Sequence, residues 1–147
     1  MAELPSADAK HPARLAAWRS IDAVARGDKQ AWLDNFAADA IVEDPIGKSM
    51  IDPSGEGFRG KEEIEKFWEK NIANMRPMFS LQHSICSGNE CANIGTLTIQ
   101  FPNGLISQLF GVYTYRVNGE GKVVALRTYW EAEDLKMYPP LEGRGTP

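Results

Sequence analysis

The spacing of apolar residues divides the chain into a helical first half and a stranded second half. Over residues 9–26 apolar side chains recur every three or four positions and Gly27 supplies a stop, so a first helix is predicted there. After Pro77 the period changes to two, which is typical of strands. The apolar stripe of the first helix consists of Leu15, Trp18, Ile21 and Val24 or Ala25.

A short helix and a short strand are predicted next. Residues 28–40 indicate a helix that places Trp32 and Phe36 four positions apart on one face. Residues 41–44 then predict a strand, which Pro45 stops because proline has no amide hydrogen to donate.

A loop and a third helix complete the first half. Residues 48–60 contain Pro53 and three glycines, so we expect a loop that overhangs a pocket. The third helix follows and ends before Pro77. Its apolar stripe consists of Ile64, Phe67, Trp68, Ile72 and Met75, and its opposite side is charged.

Four alternating segments in the second half predict an antiparallel sheet. Turn sequences rich in glycine and asparagine separate them. Three helices followed by an antiparallel meander predict an α+β fold, with the helices packed on one face of a strongly curved sheet and a cavity between the layers. The segments are residues 79–87, 90–101, 105–117 and 122–131.

The length of 147 residues predicts one domain over residues 1–147. Its ordered body should cover about residues 10–138. Residues 1–9 form a lead-in, and residues 139–147 form a tail rich in proline and glycine.

Composition and charge exclude several classes of partner. The chain is 43% hydrophobic and 24% charged, as expected for a globular domain. Its net charge is -4 and it has no cluster of Lys or Arg, so we expect no nucleic-acid partner. It has no long apolar stretch and no signal-like N-terminus, which predicts no membrane partner and a cytoplasmic location.

Cys86 and Cys91 are too few for a disulfide framework, and two histidines are too few to complete a zinc site. If Gly88-Asn89 forms a two-residue hairpin turn, the two thiols face each other across the strands. They would form a disulfide on oxidation or remain reduced, and the reduced form is favoured in the cytoplasm. No metal or organic cofactor is implied.

Asp44 is the strongest candidate for chemistry. Pro45 forces it into an extended conformation and removes one local N–H donor. A carboxylate with few donors and apolar neighbours has a raised pKa, which suits a general base. The alternative is a surface Asp-Pro turn.

The run Phe36-Ala-Ala-Asp-Ala-Ile-Val-Glu-Asp-Pro-Ile-Gly47 resembles the segment of bacterial ketosteroid isomerases that carries the catalytic aspartate. The similarity extends to Gly27-Asp28, to residues 60–68 and to residues 127–131, which hold a Tyr-Trp pair. The chain therefore resembles the ketosteroid isomerase-like (steroid delta-isomerase) branch of the SnoaL-like and NTF2-like superfamily. This resemblance implies a cone-shaped fold and an apolar pocket for a steroid or similar polycyclic ketone.

The resemblance also implies roles for single residues. Asp44 takes the position of the base that moves a proton along the steroid. Ser20 stands where the family has a tyrosine on the first helix, and Tyr113 stands where it has an aspartic acid. Because a serine is too short to replace a phenol, Tyr113 is the expected oxyanion donor, and isomerisation should be slow.

Substrate contacts are predicted for Ser20, for aromatic positions of the family pocket and for inward strand positions. On the third long strand Gly111, Tyr113, Tyr115 and Val117 share the inward face, and on the last one Val124, Leu126, Thr128 and Trp130 are in phase. Each aromatic residue could instead pack only in the core. The predicted contacts are Ser20, Phe36, Phe67, Trp68, Tyr115 and Trp130.

Other functions remain open. One is a non-catalytic protein that binds steroid-like ligands, which the two replaced donors favour. Another is a SnoaL-like polyketide cyclase, which needs one acid-base carboxylate. An epoxide hydrolase is disfavoured because Arg116 and Arg127 fall on the outward phase. The outward residues Phe110, Val112 and Tyr129 are assigned to a homodimer interface through the sheet, as is common in the family, rather than to a surface for other proteins.

Overall fold

The computed structural model describes residues 3–140 and contains three α-helices, the third of which follows the first two strands. They are α1 (Pro12–Arg26), α2 (Lys29–Asp34) and α3 (Gly60–Asn71). His11 caps α1 by accepting a hydrogen bond from the Ala13 amide, and Gly27 ends it in the left-handed conformation that glycine adopts without strain. The predicted tail lies outside the described residues from residue 141 onward.

Seven strands form one sheet in the described residues. They are β1 (Phe36–Glu43), β2 (Phe58–Arg59), β3 (Arg76–Ser87), β4 (Glu90–Gln100), β5 (Ile106–Val117), β6 (Val123–Tyr129) and β7 (Lys136–Tyr138). The order is β2-β1-β6-β5-β4-β3, β7 pairs with the first part of β5, and all pairs except β1–β6 are antiparallel. The helices pack on one face of this curved sheet, so the α+β cone is confirmed.

Two glycines allow the sheet to bend. Gly95 on β4 lies directly opposite Gly111 on β5. A Cβ atom on Gly95 would lie 2.3 Å from the carbonyl oxygen of Ser80, where β3 has a register irregularity. Only glycine therefore permits this close approach of the two strands.

The buried face of α1 differs from the predicted stripe. Leu15, Trp18 and Ile21 are only half-buried. Small side chains pack against the sheet instead, because they allow the helix and the strands to approach closely. The fully or almost fully buried residues of α1 are Ala13, Ala16, Ala17, Ser20 and Ala23.

Two further predictions are wrong in detail. The second helix ends at Asp34, so Phe36 opens β1 rather than lying on a helix. Its ring still contacts Trp32 edge to face, with centroids 4.8 Å apart. Val124 is not in phase with Leu126, since a register irregularity at the start of β6 turns Val123 into the core.

The hairpin between β3 and β4 has the predicted register. Cys86 lies opposite Cys91, and both are free thiols. The Cys91 sulfur is 3.2 Å from the Ser84 hydroxyl. Burial raises the pKa of Cys86 to about 12, which keeps this thiol protonated at neutral pH.

Candidate active site

A cavity of about 260 Å³ lies between the sheet and the helices. Its walls are almost entirely apolar. Met50 and Ile51 of the loop after β1 form part of the lining, as predicted for a loop that overhangs a pocket. Further lining residues are Ser20, Trp32, Asp44, Phe67, Phe79, Leu97, Leu109, Tyr113, Tyr115, Leu126, Thr128 and Trp130.

Asp44 reaches this cavity from the end of β1. Its Oδ1 accepts hydrogen bonds from the Thr128 hydroxyl at 2.5 Å and from the Trp130 indole at 3.2 Å. No ion pair to Asp44 occurs within residues 3–140, and it is the one Asp, Glu, Lys, Arg or His among the lining residues described. Burial raises the pKa of Asp44, and the two hydrogen bonds oppose this rise only in part.

The parallel pairing of β1 with β6 explains where this carboxylate lies. Glu43 pairs with Arg127 in register, and their side chains form an ion pair of 2.9 Å on the outer side of the sheet. The next residues along both strands then face inward, which brings Asp44 to Thr128. Glu43 and Asp44 are thus neighbours in sequence with opposite environments.

Two phenols lie in the same part of the cavity. Burial is the main cause of a raised pKa of both Tyr113 and Tyr115, and the negative charge of Asp44 raises both further. The carboxylate is therefore close enough to interact electrostatically with both phenols. The Tyr113 hydroxyl donates to the Leu109 carbonyl oxygen at 3.0 Å. The Tyr115 hydroxyl, whose pKa rises to about 12, donates to Ser20 Oγ at 3.2 Å.

Ser20 lies at the centre of a small network. Besides the bond from Tyr115, its oxygen accepts a hydrogen bond of 3.1 Å from the Trp32 indole. Because an oxygen that accepts two bonds still carries its own proton, Ser20 retains one donor. This serine therefore joins α1, α2 and β5 at the base of the cavity.

Most of the predicted site residues line the cavity, but two do not. Phe36 and Trp68 are buried in the core, and neither contributes to the lining. Both pack on Trp32, which lies between them and the cavity wall. Trp32 and Thr128 were missed as site residues, although their inward phase was visible in the sequence. The predicted site residues that do line the cavity are Ser20, Asp44, Phe67, Tyr113, Tyr115 and Trp130.

Within residues 3–140, no group of three or more His, Cys, Asp or Glu residues is arranged to hold a metal ion. None of the helices described is long and apolar enough to span a bilayer.

The family model of the SnoaL-like domain matches residues 17–126. The chain belongs to the SnoaL-like family. The match covers the region from α1 to β6 and thus includes Ser20, Asp44, Tyr113 and Tyr115. Among curated proteins, the steroid Delta-isomerase of Nocardioides simplex is 24% identical over 126 residues, which cover 86% of this chain and 95% of that protein.

Solved structures place the chain in the ketosteroid isomerase-like branch of the family. The Delta 5-3-ketosteroid isomerase of a Mycobacterium species is 35% identical, with a TM-score of 0.84, and the match covers 87% of this chain and 99% of that one. The RV0760c protein of Mycobacterium tuberculosis, in complex with estradiol-17beta-hemisuccinate, is 36% identical, with a TM-score of 0.83 and coverage of 86% and 99%.

Proposed function

We propose that this protein binds a steroid or similar polycyclic ketone and acts on it as a slow steroid delta-isomerase. The observation that carries the proposal is the Asp44 carboxylate, which borders an apolar cavity and forms no ion pair with any cationic group of residues 3–140. Such an environment favours the neutral acid, so the ionised form is a stronger base than an exposed aspartate. The similarity to a steroid Delta-isomerase and to a Delta 5-3-ketosteroid isomerase supports a ketosteroid as the substrate.

In the proposed reaction Asp44 removes a proton from the carbon between the ketone and the ring double bond. The electron pair of the broken C–H bond forms a double bond to the carbonyl carbon, and the carbonyl π pair moves to the ketone oxygen, which becomes the oxygen of a dienolate. The neutral Asp44 then returns the proton two carbons further along, and the double bond comes into conjugation with the carbonyl. The carboxylate is regenerated, so no cofactor is consumed.

Tyr113 is the proposed donor to the enolate oxygen. Its phenol lies in the cavity and is affected by the charge of Asp44, which supports this role. Its proton is engaged by the Leu109 carbonyl oxygen and must leave that bond to reach a ligand. Since a lost oxyanion donor typically costs about 10² to 10³ in turnover, we expect a slow enzyme.

A non-catalytic steroid-binding protein is the second candidate, because both phenols already donate within the protein. The two candidates are separated by incubating the wild type with a Δ5-3-ketosteroid and following the ultraviolet absorbance of the conjugated product. Binding is measured in parallel through quenching of tryptophan fluorescence. Saturable binding with no rate above that of buffer would contradict the isomerase and support the binding protein.

Removing the two phenolic hydroxyls separately tests the donor. We expect Tyr113→Phe to lower kcat by roughly 10². Tyr115→Phe is the matched control, since its hydroxyl donates to Ser20, and it should lower kcat by less than about 10-fold. Steady-state kinetics of both variants check this, and the reverse order would assign the donor role to Tyr115.

The predicted homodimer and cytoplasmic location stay predictions. The outer face of the sheet supports the dimer, because Phe110 is 57% exposed and Tyr129 is 48% exposed there. Val112 lies opposite Tyr129 on the neighbouring strand, two positions after Phe110, so the three side chains are adjacent. Sedimentation equilibrium should give twice the chain mass for the wild type, and Phe110→Asp should shift it toward the monomer. A wild-type monomer at all concentrations would exclude this interface.

A further inference from the structure

Two side chains close to the end of β6 hold one oxygen of the Asp44 carboxylate. The Thr128 hydroxyl donates to Asp44 Oδ1 at 2.5 Å, and the Trp130 indole nitrogen lies 3.2 Å from the same oxygen. That nitrogen also lies 3.0 Å from Thr128 Oγ1, so the single indole proton is shared between two oxygens. Because Thr128 accepts from the indole, its own proton is directed at Asp44, and its hydroxyl is the closer of the two donors.

The second oxygen of the carboxylate, Oδ2, has no hydrogen-bond donor within residues 3–140. It is nevertheless not enclosed by protein, since the one buried side-chain oxygen or nitrogen without a partner in that range is Asn35 Oδ1. Oδ2 therefore stays accessible at the cavity that Asp44 lines. Hydrogen bonds from two donors make Oδ1 the less basic oxygen, so the free oxygen takes up a proton more readily.

Thr128 is itself fixed in the sheet. It is 2% exposed and pairs with Tyr113 of β5. On the side of β1 its carbonyl oxygen accepts a hydrogen bond of 3.1 Å from the amide of Ile46, two residues after Asp44. A β-branched side chain also has a restricted choice of rotamers, so the hydroxyl keeps its direction.

We propose that Thr128 is the positioning residue of the base, which holds Asp44 Oδ1 and leaves Oδ2 to take the proton from the ligand. Thr128 acts through Asp44 and exchanges no proton with the ligand. This inference rests on the proposed isomerase. It names the residue on which both the ionised state and the orientation of the base depend.

Few other groups can influence the titration of Asp44. Tyr113 and Tyr115 face it from β5, and burial raises the pKa of both, that of Tyr115 to about 12, so both are neutral in the acid range. Glu43 and Arg127 pair with each other on the outer side of the sheet. No other Asp, Glu, Lys, Arg or His of residues 3–140 lines the cavity. Because the threonine donor favours the ionised carboxylate, its loss should raise the pKa of Asp44.

Thr128→Val tests this inference, since valine keeps the shape of the side chain and lacks the hydroxyl. NMR of the Asp44 carboxyl carbon, in protein with isotope-labelled aspartate and with Asp44→Asn for assignment, follows the titration without any need for activity. The midpoint should move up by about one pH unit in the variant, and the acid limb of kcat/KM should move with it. Above that limb kcat should fall roughly 10-fold at nearly constant KM, because the carboxylate is no longer held in one orientation.

Three further variants separate the hydroxyl from general effects of substitution. Thr128→Ser retains the donor and should keep the midpoint and kcat near their wild-type values. Thr114→Val makes the same change on the outer side of the sheet, where the hydroxyl donates to the Arg127 carbonyl oxygen at 2.8 Å, and should leave both unchanged. Thermal melting shows that each fold is intact, and Thr128→Ala carries the same expectation if Thr128→Val does not fold.

The outcomes distinguish this inference from the proposed function. An Asp44 midpoint that is the same in Thr128→Val and in the wild type overturns the inference, whatever the activity. A fall in kcat with an unchanged acid limb assigns Thr128 to packing alone, and an unchanged kcat above the limb removes its positioning role. If the wild type does not isomerise a Δ5-3-ketosteroid, the proposed function fails, and the NMR titration still decides whether Thr128 holds the carboxylate.

Discussion

Asp44→Asn should lower the rate of isomerisation of a Δ5-3-ketosteroid by about 10² to 10⁴, the contribution of a positioned base. Asparagine keeps the oxygen that accepts from Thr128 and Trp130, but its amide cannot take up a proton at neutral pH. The loss should therefore appear in kcat, with a much smaller change in ligand affinity. Equal rates for the wild type and the variant would remove the catalytic role of Asp44.

Asp39→Asn is the matched control for this substitution. It makes the same change at an exposed carboxylate of β1, the strand that ends just before Asp44, and should leave the rate within about 2-fold. Folding of Asp44→Asn is checked by thermal melting. Because burial raises the pKa of Asp44, the native state binds this proton more tightly than the unfolded chain does. The free energy of unfolding therefore falls as pH rises from the aspartate pKa of the unfolded chain through the higher pKa of the native state. The variant should accordingly melt no lower than the wild type at pH 7, and any gain should shrink toward acid pH.

The pH dependence of kcat/KM reports the same carboxylate in the free protein. Asp44 must be ionised to accept a proton, so the rate falls as pH falls through its pKa. Because burial raises that pKa, the acid limb should lie above the ordinary aspartate value of about 3.9. An acid limb at or below that value would show that the cavity does not perturb the carboxylate.

Alternation of polar and apolar residues was sufficient to predict the four long strands, because one face of the sheet is covered and the other is not. The same reasoning failed for α1. A stripe of large apolar residues indicates amphipathicity, but contact with a sheet at close range selects small residues such as Ala16 and Ala17. The two- and three-residue strands β2 and β7 have no periodicity to detect.

The position of Asp44 was predictable because Pro45 and the resembling motif both mark it. Whether each aromatic residue lines the cavity or packs in the core was not predictable. The sequence shows which face of a helix or strand is buried, but not whether that face meets the cavity or another element. Phe36 and Trp68 therefore appeared equivalent to Phe67, which alone of the three lines the cavity. The direction of a hydroxyl was also hidden. The Tyr113 hydroxyl turns back along β5 and donates to the Leu109 carbonyl oxygen, which the alternation of the strand does not indicate.

Trp32→Ala should destabilise the fold by about 3 to 5 kcal/mol, a large part of the 5 to 15 kcal/mol typical of a domain. Trp32 is 1% exposed and its ring contacts Phe36, Phe67 and Trp68, so three elements lose packing at once. The indole also donates to Ser20, which ties α2 to α1. Chemical denaturation of the two proteins measures the difference in free energy of unfolding.

Trp32→Phe separates the two contributions. Phenylalanine keeps most ring contacts but cannot donate to Ser20, so we expect a smaller loss of roughly 1 to 2 kcal/mol. If both variants lose the same free energy, the hydrogen bond rather than the packing fixes α2. If Trp32→Ala loses less than about 1 kcal/mol, the aromatic cluster does not support the cavity wall. In the expected case Trp32 both shapes the cavity wall and holds the helices together, so the stability of the fold and the form of the pocket depend on the same side chain.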